Sequence, residues 1–238
     1  MFIYYDFLMV GAEKMKKMFL ILLFSGFYTS LHSESLTTLP DTFLSRLKIT
    51  SVIQLLDVRL LSSSSATATL EKWCSDHRLA QEPKIIANRI KTIDIIPSLE
   101  TRHRLNVDNK ELVLFRHVEL RCGEHILSEA DNWYVPSRLS PEINKILEQS
   151  DVPFGKAIGS LKPIRKTFYS QLLWSPLPEN WEMNDISNNA DKISALPFHP
   201  AHFILEHRAL VLSHDQTPLS EVDENYTDEL LKFDWRAY

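Results

Sequence analysis

Glycine is scarce in this chain, with 5 among 238 residues, and cysteine is scarcer still, with 2. No Gly-rich phosphate loop is present, and no nucleophile elbow or Cys-x-x-Cys pair occurs. Cys74 and Cys122 are too few for a disulfide scaffold, and leave room for a single bridge if the protein is exported. A basic surplus is also missing: 26 Lys and Arg stand against 31 Asp and Glu, a formal charge of −5. Phosphate backbones require a concentrated basic surface, so nucleic acid is not an expected partner. The densest basic cluster, Lys162, Arg165 and Lys166, reads as a solvated helix or loop face. No apolar run is long enough for a comfortable membrane span, so a stable span is not expected either.

What remains is an ordinary globular composition, 44% apolar and 24% charged, enough for one sizeable core. The N-terminus departs from it. Lys16-Lys17 precedes the apolar stretch Met18–Tyr28, and small and polar residues follow through Ser33-Glu34-Ser35. A basic region, a short apolar region and a small-residue zone form the pattern of a signal peptide. The expectation is an N-terminal extension over 1–35, export to the periplasm or the exterior, and a single domain over 36–238. A buried N-terminal helix is the alternative, and would leave the protein in the cytoplasm.

Two stretches echo each other 92 positions apart: Arg116, Leu127-Ser128-Glu129, Asp131 and Tyr134 are answered by Arg208, Leu219-Ser220-Glu221, Asp223 and Tyr226. Each alternates apolar and polar residues, breaks at a polar turn and alternates again, the signature of a β-hairpin. Two copies suggest one sheet built from a duplicated unit. Arg116 and Arg208 are candidates for inward charge, with a solvated strand end as the alternative. For Glu221 the alternation leaves two settings open. Either Leu219 and Glu221 face inward, or Ser220 and Val222 do and Glu221 is solvated.

Asp41–Lys48 and Ser51–Leu61 have helix-compatible spacing, with Asp41 and Ser51 as candidate N-caps. A further helix from Ser65 or Thr67 would carry Leu70, Trp73, Cys74 and Leu79 inward. Residues 84–96 and 99–107 read as strands. Ser140-Pro141 opens a helix to Gln149, residues up to Trp174 are helical or extended, and 175–200 form a long loop. The class is α+β, a largely antiparallel sheet with two echoed hairpins and helices packed on one face. A monomer is expected. His199 and His202, with His207 and His214 nearby, offer metal ligands only superficially. Pro200 prevents a regular helix from presenting the first two, so no metal site is expected.

An ordered set of short motifs carries a family resemblance over residues 52–230. It comprises Leu60-Leu61 before Ser65-Ala66-Thr67, Arg116 opening a strand, Val135-Pro136, Val152-Pro153-Phe154-Gly155 and Pro218-Leu219-Ser220-Glu221. In this it resembles the chorismate pyruvate-lyase family, which shares its fold with the ligand-sensing domain of some bacterial transcription regulators. The resemblance implies a carbon–oxygen lyase that needs no metal or organic cofactor and releases pyruvate from chorismate to leave 4-hydroxybenzoate. It implies substrate-binding roles for Arg116, on the ring carboxylate, and for the backbone around Ala66, Phe154 and Gly155. Glu221 would be the catalytic acid–base group at the far end of the ring. Where the family carries a small residue and an arginine before its Val-Pro, this chain has Asp131-Asn132; where it favours methionine, this chain has Ala66. A non-catalytic, exported binder of a small cyclic carboxylate with the same fold is the alternative.

Overall fold

The computed structural model describes residues 39–91, 95–183 and 198–235. The segment 1–35, on which the signal-peptide expectation rests, lies outside them. The first element is one helix, α1 (Phe43–Leu61), capped by the Thr42 side chain, which accepts from the Ser45 N–H. It runs through the break expected between Lys48 and Ser51. Both Thr50 and Ser51 donate their hydroxyls to carbonyls four residues back, at 2.9 Å, and so are satisfied inside the helix instead of capping a new one. Arg46, Ile49, Ile53, Leu56 and Leu60 form its buried stripe. Helix α2 (Ala66–Asp76) starts where Ser65 accepts from the Ala68 N–H, and buries Leu70, Trp73 and Cys74.

Strands β1 (Ile85–Ile90), β2 (Leu114–Cys122), β3 (His125–Tyr134), β4 (Ile164–Leu172), β5 (Phe203–Leu212) and β6 (Pro218–Thr227) form one six-stranded sheet, ordered β1-β2-β3-β6-β5-β4. All five pairings are antiparallel. The chain is therefore α+β. Helices α1 and α2, with α4 (Pro141–Gln149) and α5 (Phe154–Ala157), contribute to the cores on one face of the sheet. Residues 99–107, expected as a strand, instead begin with a short helix, α3 (Leu99–Arg104), capped by Ser98 and bonded to the other face. Cys74 of α2 and Cys122 of β2 are joined in a disulfide.

The two echoed hairpins are β2–β3 and β5–β6, and they meet at the centre, where Asp131 pairs directly with Asp223. The repeat thus places a pseudo-two-fold axis between β3 and β6. The echo slips by one residue in the outer strands. Arg116 pairs with Asn132, but the counterpart of Asn132, Glu224, pairs with His207 and not with Arg208. The first hairpin turns through Gly123-Glu124, whereas the second spans 213–217, with register shifts in both hairpins. A slip of one residue exchanges the two faces of a strand. His207 therefore points into the core and Arg208 away from it, onto Glu206 and Asp223.

Candidate functional site

The alternation of the central strands decides which side chains share a face. Arg116, Val118 and Leu120 of β2 stand with Asn132 and Ala130 of β3, and with Val222 and Glu224 of β6. Above this face, the start of α2 and the α5 turn enclose a cavity of about 60 Å³. About 10–15 Å³ admits one water, so the space as it stands takes a few waters. Ala66, Phe154, Gly155 and Ile158 form its helical side, and Val118, Leu120, Ala130 and Val222 its sheet side. Gly155 packs closely against the start of α2: a Cβ there would lie 3.3 Å from both Ser65 Oγ and Thr67 Oγ1, so those hydroxyls would have to give by a few tenths of an ångström.

At one end this apolar cavity turns polar, where Asn132, Arg165 and Glu224 line it. Arg165 reaches in from β4 and is ion-paired with Glu224, their side chains 3% and 8% exposed. Burial works against the Arg165 charge, and the adjacent Glu224 carboxylate outweighs it, so the guanidinium pKa lies above its ordinary value. Tyr226, fully buried, donates its hydroxyl to Glu224 at 2.9 Å, and burial pushes its own pKa well up. Arg165 Nε and Asn132 Oδ1 are buried and have no hydrogen-bond partner. Behind them, His207 meets Asp57 of α1 at 2.7 Å while its Nδ1 is unpaired. Burial holds this imidazole below its ordinary pKa, which favours the neutral ring with the proton on Nε2.

Of the residues read from sequence, Ala66, Phe154 and Gly155 come together in this cavity. Arg116 is on the same face and 2% exposed, but it lines a separate pocket with Arg89, Lys91 and Glu148. Glu221 is not on this face, which corrects its expected pairing with Arg116 across one cavity. It belongs to the other parity of β6, together with Leu210 and Trp133. There it accepts from Arg104 Nε at 2.8 Å, Arg104 Nη2 at 2.7 Å and the Thr101 hydroxyl at 3.1 Å, so it anchors α3. Sequence reasoning missed Glu224 and misread Arg165 as solvated. The run Ile164-Arg-Lys-Thr-Phe168 carried no signal for Arg165, because alternation sets it on the face opposite Ile164 and Phe168. Among the described residues, no cluster of His, Cys, Asp or Glu could hold a metal ion, and no helix is long and apolar enough to cross a membrane.

On the outer face, the Asp223 carboxyl carries a titration with a large expected effect. Burial raises the Asp223 carboxyl to about 6; Arg208 opposes this, and Glu206, Asp131 and Glu224 add to it. The folded protein holds this proton to higher pH than the unfolded chain. Protonation therefore stabilises the fold, and this contribution is lost as pH rises from about 4 to about 6. Asp223→Asn should raise stability at pH 7.5 by about 1 kcal/mol, discounted for partial exposure and the Arg208 pair. At pH 4 it should change little. Thermal unfolding at both values checks this, and an equal gain at each would contradict it.

Similarity to known proteins adds a family. No family model matches the chain. The uncharacterized protein y4mC of Sinorhizobium fredii is 45% identical over 195 residues, covering 82% of this chain and 81% of that protein. The chain belongs to the y4mC family. Among solved structures it is similar to the effector domain of PhnF from Mycobacterium smegmatis, at 12% identity and a TM-score of 0.43, covering 69% of this chain and 88% of that one. It is also similar to the possible transcriptional regulator YydK from Bacillus subtilis, at 16% identity and a TM-score of 0.39, covering 61% of this chain and 58% of that one. These likenesses are too distant to transfer a ligand or an activity. The expectation of export is corrected: no signal peptide is shown, and the solved structures to which the chain is similar are a possible transcriptional regulator and an effector domain.

Proposed function

We propose that residues 36–238 form one binding domain for a small cyclic carboxylate, held in the cavity between the sheet and the α2–α5 corner. The observation that carries this reading is the polar end of the cavity, where Arg165 Nε and Asn132 Oδ1 are buried without partners. Buried donors and acceptors are almost always paired in folded proteins, and an unmade bond costs about 1–3 kcal/mol. A carboxylate is the natural acceptor for a guanidinium N–H, and a hydroxyl on the ligand could donate to Asn132. The remaining walls, Ala66, Phe154 and Gly155 among them, are apolar, and a ring, which fills a cavity of about 150 Å³, requires the α2–α5 corner to open as it binds.

The reading is binding without turnover. A lyase needs an acid–base group within reach of the ring's far end, and Glu221 is bonded to Arg104 and Thr101 on the other face. The carboxylate that does line the cavity, Glu224, is already engaged by Arg165 and Tyr226.

Calorimetric titration with benzoate, 4-hydroxybenzoate and cyclohexanecarboxylate tests the proposal, with benzamide as the neutral analogue. The carboxylates should bind and benzamide should be weaker by at least about tenfold, the loss of one charge-assisted contact. Incubation with chorismate should release no pyruvate. Pyruvate release would assign lyase activity instead, and failure of every carboxylate to bind would reject the proposal.

A further inference from the structure

We infer that a second site, separate from the central cavity, binds a tetrahedral dianion of the phosphate class in the basic pocket between β1, β2 and α4. This pocket, about 480 Å³, is lined by Arg89, Lys91, Arg116 and Glu148 among others, and shares no lining residue with the central cavity. Its deepest charge is Arg116, 2% exposed, whose Nε and Nη2 have no hydrogen-bond partner. The other deeply buried guanidinium groups are provided for. Arg46 has the Asp41 carboxylate and the Pro176 carbonyl, and Arg165 has Glu224. An unpartnered buried cation is strongly unfavourable, and a bound anion is the direct remedy.

The charge count names the class of anion. Three cations and the Glu148 carboxylate leave a net charge of 3 − 1 = +2 at the pocket, which matches a dianion. The shape agrees. Two guanidinium groups from β1 and β2 and the ammonium of Lys91, just past the end of β1, line the pocket, and a phosphate offers each an oxygen, where a planar carboxylate offers two in all. Arg89 also donates to the Glu148 carbonyl at 3.2 Å, which ties the rim of the pocket to α4. A free phosphate and a phosphate monoester share this chemistry; a bulkier ester would extend from the pocket into solvent.

Inorganic phosphate is the probe, added to the full chain against sodium chloride at equal ionic strength, with thermal unfolding as the readout. Phosphate stabilises many folds non-specifically, so the decisive quantity is the difference between wild type and a variant. Arg89 and Lys91 are exposed, so Arg89→Ser/Lys91→Ser keeps the fold. Wild type should show a saturable rise in Tm, and the double variant should need at least about tenfold more phosphate for the same rise. Arg116→Met should abolish the response without lowering the phosphate-free Tm, since it removes a charge that has no partner. Benzoate titrations of both variants should match wild type, because the central cavity is untouched. An equal phosphate response in wild type and the double variant would overturn the second site, as would no saturable response. Either result would leave the benzoate titration to judge the central cavity on its own.

Discussion

Arg165→Met should lower stability by about 3–5 kcal/mol and abolish carboxylate binding in the central cavity. The size follows from what is left behind. Glu224 is 6% exposed and would keep only the Tyr226 hydroxyl as a partner. It would then bear its desolvation cost or take up a proton, which sets the lower end of the range. The pair can be separated from the position by a double-mutant cycle. Arg165→Met/Glu224→Gln removes both charges while an amide oxygen can still accept from Tyr226, and should recover most of the loss. Urea unfolding measures all three variants. A single variant as stable as wild type, or a double variant worse than the single, would show that the buried ion pair does not hold this end of the sheet.

Replacing the disulfide by alanine at Cys74 and Cys122 should cost about 4 kcal/mol. That is the chain-entropy value for a crosslink across a separation of 48 residues, with measured disulfides often falling below it. The consequence for the site is as important. Ala66 at the start of α2 and Leu120 of β2 line the cavity from opposite sides, and the disulfide fastens those same two elements to each other. Its removal should therefore weaken benzoate binding as well as stability. A reductant should move the urea midpoint of wild type toward that of the variant and leave the variant unchanged. If reductant leaves wild type unmoved, the crosslink does not contribute as described.

Much of this arrangement was legible because the signals are local. Ser140 was readable as a cap and accepts the Ile143 N–H, and the start of α2 near Ser65 was readable too, whereas the caps read at Asp41 and Ser51 belong to Thr42 and to no helix start. The echo of Asp131 by Asp223 marked the centre of the sheet, where the two pair. The errors arose where local pattern is degenerate. Leu99–Arg104 is too short for periodicity to separate helix from strand, and Leu99, apolar in sequence, is 80% exposed. Glu221 was misplaced because its face depends on strand register, and neither alternation nor the echo fixes register to better than one residue. Arg165 was misread because its partner, Glu224, is 59 residues away, and nothing between them announces a buried pair. The three wall residues Ala66, Phe154 and Gly155 were found through motif order, whereas the polar end that gives the cavity its chemistry was visible only once the strands were paired.

The central claim is that a small carboxylate sits in the central cavity with its charge on Arg165. Backbone amide NMR on the full chain during a titration with 4-hydroxybenzoate tests it most directly. The account predicts saturable shifts concentrated at Ala66, Thr67, Asn132, Gly155 and Arg165, which disappear in Arg165→Met at equal ligand concentration. Shifts confined to the outer face around Arg104 and Glu221, or cavity shifts that persist unchanged in Arg165→Met, would contradict it.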